Sequence, residues 1–345
     1  MEMTAMVPTL ANQTPPREDV QWWIENLARV GYFIAPEMAR DVAFWWQSRL
    51  GPLVLEGPPG GGKTRLAEAI VEVCQLQNSF YRLQCYSSIG KQQALYDWDS
   101  TIQRYEMENC LRLHDGRPPG DLSEVLYSDR TLVPGQLVRA LLDENPDTLL
   151  LIDEFDKIPP NQAFEALALQ FLGEHSITIS EQNRKLRPRS ALAPHTVITS
   201  NAGVDNSSVT DQLSSTILRR AVVYVNVPEP TAPRRYMILR TNARSLSPEV
   251  IRDAVLLVDK MSQRQFDKPV ALSETINWVK YLEFLDVREL TADVVISTAS
   301  ALAKIHNDVQ NLKKGARAAI ESVRNRRKEI DIEACERELA EGRFL

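Results

Sequence analysis

The sequence is poor in the residues that build metal centres and disulfide scaffolds. It has four cysteines, Cys74, Cys85, Cys110 and Cys335, none in a CxxC or CxxxC spacing, and four scattered histidines, His114, His175, His195 and His306. That pattern argues against a zinc site and fits free thiols in a reducing compartment. No apolar run approaches the roughly 20 residues of a membrane span. Residues 1–19 are polar and contain proline, without an apolar signal core, and read as a flexible arm of a cytoplasmic protein. An excess of positive charge is missing too. The net charge of −6 gives no overall pull toward nucleic acid or an anionic membrane.

The chain does have size and pattern. Its 345 residues, 43% hydrophobic and 25% charged, suffice for about two domains with a substantial core. Residues 19–50 read as helical with a break at Gly31. Trp22, Ile24, Leu27 and Val30 form one stripe, and Val42, Phe44 and Trp45 begin another. The pairs Trp22-Trp23 and Trp45-Trp46 are expected to pack in a core or at a subunit interface. Short apolar stretches at 52–56, 148–152, 196–199 and 222–227 and an alternating one at 79–85 read as strands, and stretches at 64–76, 134–142 and 162–172 as helices. Strands alternating with helices predict an α/β fold, a parallel sheet covered on both faces. Residues 88–129 read as irregular, and residues 176–179 and those around Leu186 as the arms of a hairpin.

After Pro228-Glu229-Pro230 the strand signals stop. The reading therefore places an arm at 1–19, a nucleotide-type α/β domain at 20–230 and a small helical domain at 231–310. Residues 311–345, dense in charge of both signs, read as a solvated helix laced with ion pairs.

Four motifs carry chemistry. The first is Gly57-Pro58-Pro59-Gly60-Gly61-Gly62-Lys63-Thr64, a GxxxxGK[ST] loop between a predicted strand and a predicted helix. Its glycines let backbone N–H groups wrap a phosphate, and the helix adds its positive N-terminal end. Lys63 is expected at the β- and γ-phosphates of ATP, the Thr64 hydroxyl on Mg²⁺, and Arg65 in the nucleotide-binding set beside them. The second is Leu149-Leu150-Leu151-Ile152-Asp153-Glu154, which delivers two carboxylates to a strand end. Asp153 is expected to hold the Mg²⁺ shell and Glu154 to activate the attacking water, while Asp156 is expected to be structural. The third is Val197-Ile198-Thr199-Ser200-Asn201, whose terminal Asn201 is suited to bond the γ-phosphate or the water. The fourth is Arg219-Arg220 before the last strand. These arginines read either as surface charge or as a finger reaching a neighbouring subunit's γ-phosphate, a role that suits a planar, always charged fork.

In order and rough spacing these motifs resemble those of AAA+ ATPases, of the dynein-related type. Finer stretches resemble the MoxR family, especially its CoxD-like branch: Gly31-Tyr32-Phe33, Leu83-Gln84-Cys85-Tyr86, Ala94-Leu95-Tyr96-Asp97-Trp98-Asp99, Leu213-Ser214 leading to Arg219-Arg220, and Glu274-Thr275-Ile276-Asn277-Trp278. The likeness covers roughly residues 20–285. It implies a five-stranded αβα sandwich followed by an α-helical lid, and hexameric rings with ATP at each subunit interface. Arg220 falls at the arginine-finger position and Asn201 at the first sensor. A helix-2 insert falls within about 88–129, and a hairpin lies before Asn201. The implied activity is ATP hydrolysis that remodels or matures a protein client, often beside a von Willebrand factor A-domain partner. One departure stands out. Where many such proteins carry a second-sensor arginine in the lid, this chain reads Ala271-Leu272-Ser273-Glu274, with Lys268 the nearby cation.

The run Arg184-Lys185-Leu186-Arg187-Pro188-Arg189 leaves three readings open: a grip on nucleic acid, a grip on an acidic polypeptide, or solvated charge. The first supports an alternative function, a nucleic-acid motor or loader in a restriction or phage-defence system. The absence of an aromatic residue within the run weakens a base-stacking platform.

Overall fold

The apolar strands at 53–55, 149–152 and 196–199 are expected to sit inside a sheet covered on both faces. In the computed structural model, which describes residues 19–113, 122–158, 163–201, 215–262 and 270–341, they do. The strands in chain order are β1 (Leu53–Glu56), β2 (Phe80–Gln84), β3 (Tyr96–Trp98), β4 (Leu132–Pro134), β5 (Leu149–Asp153), β6 (Ile177–Ile179), β7 (Arg184–Leu186), β8 (His195–Ser200) and β9 (Val223–Asn226). The five expected strands form one parallel sheet in the order β2-β5-β8-β1-β9. Residues 1–18 of the expected arm, Lys268 and Leu213-Ser214 lie outside the described residues, while Asp19 caps the first helix.

Strand alternation sorts the core into two layers. Leu53, Leu55, Leu149, Leu151 and Val197 pack against the N-terminal helices Val20–Arg29 and Pro36–Ser48 and the phosphate-loop helix Lys63–Val73. Val54, Leu150, Ile152 and Ile198 face the other way, toward helices Gln136–Leu142 and Ala163–Glu174. The tryptophans are core, as their pattern predicts. Trp23, Trp45 and Trp46 are buried edge to face, and Trp46 stacks on His195 at 3.8 Å.

The described part of residues 88–129 is more regular than its sequence suggests. It includes the 14-residue helix Ser100–Leu113, and β3 pairs antiparallel with β4 on either side of it. Asp99 caps that helix, accepting from the Thr101 and Ile102 amides at 2.9 and 3.0 Å. No residue of the helix is buried, so it has no apolar stripe to betray it in the sequence. The hairpin arms are β6 and β7, paired antiparallel. The hairpin is bound to the insert: Arg184 bonds Asp129 at 2.8 Å, and Tyr96 donates to Glu181 at 2.7 Å.

Beyond β9 the described chain is helical, from Ala232–Asn242 to Ile332–Glu341. These helices share one core around Trp278, whose indole donates to Thr298 at 2.9 Å. The charged segment departs from the expectation of a solvated helix. Helix His306–Arg326 buries Leu312, Ala316, Ala319, Ile320 and Val323 in that core, and Cys335 follows. Its charge density hid a narrow stripe at helical spacing. Leu312→Ala is therefore expected to cost about 2–5 kcal/mol of stability in urea unfolding. Exposed Lys313→Ala is expected to change it by no more than about 0.5 kcal/mol. Equal, small effects at both positions would mean this helix is not packed.

Candidate functional site

The C-terminal ends of β1, β5 and β8 lie side by side, so whatever follows each strand meets at one edge. After β1 comes the phosphate loop. Gly57 has φ +153°, and a Cβ there would come within 2.3 Å of the Val227 carbonyl oxygen, so the strand can turn only through glycine. Gly62 caps the following helix in the left-handed region, and Lys63 is the first helical residue. The Lys63 side chain is buried and curls back on the loop, with Nζ donating to the Gly57 and Pro58 carbonyls at 2.8 Å each. Burial lowers its pKa, opposed by Asp156, Asp153, Glu154 and Glu56.

After β5 comes the acidic pair. Asp153 is 1% exposed, and a carboxylate at that depth needs partners. Thr64 Oγ1 donates to its Oδ1 at 2.8 Å, and Thr199 Oγ1, from β8, donates to the same oxygen at 2.5 Å. Arg82, from β2, pairs with Oδ2 at 2.5 Å. The first and second motifs thus meet directly, as their spacing predicts. Glu154 follows with φ 56° and ψ 48°, left-handed and strained for a non-glycine residue. Its amide donates to Thr199 Oγ1 at 2.9 Å, so that hydroxyl serves both acidic residues. The Glu154 carboxylate is half-exposed, accepting from Gln84 at 2.6 Å and Lys157 at 2.5 Å. Asn201, at the end of β8, donates its amide to Asp156 Oδ1 at 2.8 Å. Asp156 is thus a structural residue, and what it holds is the Asn201 backbone.

Arg219 and Arg220 are elsewhere. They precede β9 at its N-terminal end, and the Arg220 carbonyl lies against Gly51, just before β1. The length of β1, about 13 Å for four residues, separates that edge from the phosphate loop. Arg219 is exposed. Arg220 is half-buried, with its guanidinium beside Gly173. Neither is built into the site of its own chain. Arg65 also turns away from the loop. It donates to the Val30 carbonyl at 2.7 Å and pairs with Glu72. There it lines a cavity of about 630 Å³ shared with Val30, Gly31, Thr241, Asn242 and Leu339.

Three residues of this edge escaped the sequence reading as site residues: Arg82, Gln84 and Thr199. Only the registry of β2 beside β5, which sets Gln84 opposite Asp153, reveals the first two. Thr199 stood inside a recognised motif, but a threonine in a buried strand is ordinarily packing.

The basic run of the hairpin is largely committed within the chain. Arg184 pairs with Asp129, Lys185 with Glu174 at 2.7 Å, and Arg189 with Glu144 at 3.4 Å.

Thr199→Val would leave Asp153 short of one donor and the Glu154 amide without its acceptor. It is expected to lower stability by about 1–3 kcal/mol in denaturant titration, with Thr199→Ser much milder because the hydroxyl remains. An unchanged midpoint in the valine variant would mean that the hydroxyl holds neither group.

Comparison with known proteins agrees with this architecture. Residues 52–221 match the family described as AAA domain (dynein-related subfamily). No curated protein matches the chain. Among solved structures it is similar to the RuvB Holliday junction branch migration motor of Thermotoga maritima, with 15% identity and a TM-score of 0.39 over 80% of this chain and 68% of that one. It is also similar to NtrX from Brucella abortus in complex with ATP, with 15% identity and a TM-score of 0.44 over 89% of this chain and 68% of that one. Among the described residues no helix is long and apolar enough to cross a membrane. With a phosphate loop after β1, an Asp-Glu pair after β5, a five-stranded parallel sheet and a helical region beyond it, the chain has an AAA+ fold, and residues 52–221 match the dynein-related AAA domain.

Proposed function

We propose that this chain is a magnesium-dependent ATPase that works as a ring, with each site shared between neighbouring copies, and that its cycle remodels a protein partner. The observation that carries the reading is the division of the motifs between two edges of one sheet. Lys63, Thr64, Asp153, Glu154 and Asn201 converge at the C-terminal edge, and Arg219 and Arg220 stand at the opposite one. A finger so placed can complete a site only on another copy.

Thr64 Oγ1 and Asp153 Oδ1, 2.8 Å apart beside the loop, are the hard oxygen donors that magnesium takes, and they would hold it. Bound there with ATP, magnesium would supply neutralisation of the charge that develops in phosphoryl transfer. The residues of the chain do the rest. The loop amides and Lys63 hold the terminal phosphates, so Lys63 exchanges the Gly57 and Pro58 carbonyls for phosphate oxygens. Glu154 orients the water, which requires its carboxylate to leave Gln84 and Lys157. Asn201 helps to position that water or the γ-phosphate. The cavity between Gly31 and Asn242, reached by Arg65, suits the nucleoside end.

A six-membered ring, MoxR-type client maturation and a von Willebrand factor A-domain partner are supported only by the motif resemblance. The ion pairs of Arg184, Lys185 and Arg189 are solvent-exposed and weak, so they leave the nucleic-acid alternative standing.

Glu154→Gln is expected to lower ATP turnover by about 10²–10⁴-fold while ATP affinity changes little. Turnover equal to the parent's would remove Glu154 from the chemistry. Turnover should also rise with protein concentration. Mixing inactive Arg220→Ala with inactive Lys63→Ala is expected to restore part of it, since some mixed interfaces are intact. Persistent inactivity after demonstrated subunit exchange would refute a finger acting between copies.

A further inference from the structure

The two oxygens of the buried Asp153 carboxylate are served differently. Oδ1 accepts from the hydroxyls of Thr64 and Thr199, short side chains fixed in the phosphate-loop helix and in β8. Oδ2 is paired with Arg82 at 2.5 Å, and among the described residues this is the one ion pair of Asp153. Arg82 comes from β2, the edge strand of the sheet, and its side chain is 43% exposed whereas Asp153 is buried. The guanidinium thus reaches a dry carboxylate from a wet margin, on a long and flexible stem.

The arginine also has a second seat. Glu68 stands one turn beyond Thr64 on helix Lys63–Val73, with its Oε1 3.7 Å from Arg82 Nη1 and its side chain half-exposed. One guanidinium therefore lies between two carboxylates, in contact with the buried one and a short step from the open one. A third contact ties it to the rest of the site. Arg82 donates to Gln84 Oε1 at 3.1 Å, and Gln84 Nε2 donates to Glu154 at 2.6 Å. Arg82 thus reaches both acidic residues, Asp153 directly and Glu154 through an amide.

Beside Thr64 and Asp153, the arginine and a magnesium ion would be like charges at close range, where hydration screens them poorly. A guanidinium cannot relieve that repulsion by losing its proton, so it has to move. A half-exposed ion pair is a weak restraint, and a free carboxylate oxygen is close by.

We propose that Arg82 and magnesium compete for Asp153, and that Glu68 is the seat the arginine takes when it gives Asp153 up. The inference rests on the magnesium and nucleotide reading above and adds a regulation to it. An arginine drawn to Glu68 also leaves Gln84, which loosens the hold on the carboxylate that orients water. Glu154 is then released in the same event that frees Asp153. Arg82 is in this scheme a positioning residue.

The test is metal binding by the full chain, with ADP held below the protein concentration. Manganese(II) is the probe, a cation of magnesium's oxygen-ligand class whose free ion is counted by electron spin resonance. Arg82→Gln is expected to tighten manganese by about two- to five-fold, the scale of a half-exposed ion pair. Arg82→Lys, which keeps the charge, should stay closer to the parent. Glu68→Gln removes the second seat and is expected to weaken manganese by a similar factor. The double variant should match Arg82→Gln, because Glu68 acts through the arginine. Unchanged or weaker manganese binding in Arg82→Gln overturns the competition. A double variant weaker than Arg82→Gln means that Glu68 acts by its own charge and overturns its place as the second seat. Should Arg82→Gln melt well below the parent, Glu68→Gln carries the test, and parent-like or tighter binding there overturns the proposal. Asp153→Asn keeps the two readings apart. It should lose manganese whatever Arg82 does, and parent-like binding in that variant overturns the metal site itself.

Discussion

A carboxylate buried at the end of an apolar strand organises this molecule's chemistry. Asp153 cannot be left charged and alone at 1% exposure, and the fold supplies it with two hydroxyls and a guanidinium from three different elements. The consequence is geometric. The phosphate-loop helix, β2 and β8 must each present a side chain to one point, which fixes Thr64, Arg82 and Thr199. Through the Thr199 hydroxyl, which also accepts the Glu154 amide, the second acidic residue is set in its left-handed turn. Strain at Glu154 is thus held in place by the same network that neutralises Asp153.

The sheet gives the site its direction. In a parallel sheet all strands end at the same edge, so three motifs far apart in sequence converge without any further device. The same rule sends residues that precede a strand to the opposite edge. Arg219 and Arg220 precede β9, and their separation from Lys63 follows from chain direction alone.

The lid extends the argument beyond the sheet. Its core is continuous from helix Ala232–Asn242 through helix His306–Arg326 to Cys335, so contacts at the phosphate loop are tied to a rigid body rather than to a loose loop. Glu336 joins the last helix to the first, accepting from Tyr236 at 2.6 Å and Arg240 at 2.9 Å. Ala271, which meets the loop at Gly60, stands at the start of a helix packed into this core.

The sequence alone determined the parallel sheet, the phosphate loop and the acidic pair, because each is written in contiguous residues: a buried strand is an unbroken apolar run, and a glycine-rich turn has few alternatives. It also placed Trp45 on an apolar stripe, as its burial bears out, but the stripes read from it held Trp22 and Phe44, whereas the structure buries Trp23 and Trp46 and leaves Phe44 exposed. Only the tertiary structure decided what depends on registry and on faces. The Arg82 and Gln84 contacts come from β2 lying beside β5, which no local pattern encodes. Helix Ser100–Leu113 has no buried face to produce a period, and helix His306–Arg326 conceals its stripe among charges. Whether a cation in the hairpin or the lid is free or paired was likewise beyond the sequence, because pairing is settled by segments 11 to 55 residues away, as Lys185 with Glu174 and Arg184 with Asp129 show. Composition fixes how many charges a surface carries; only the folded chain fixes which of them already have a partner.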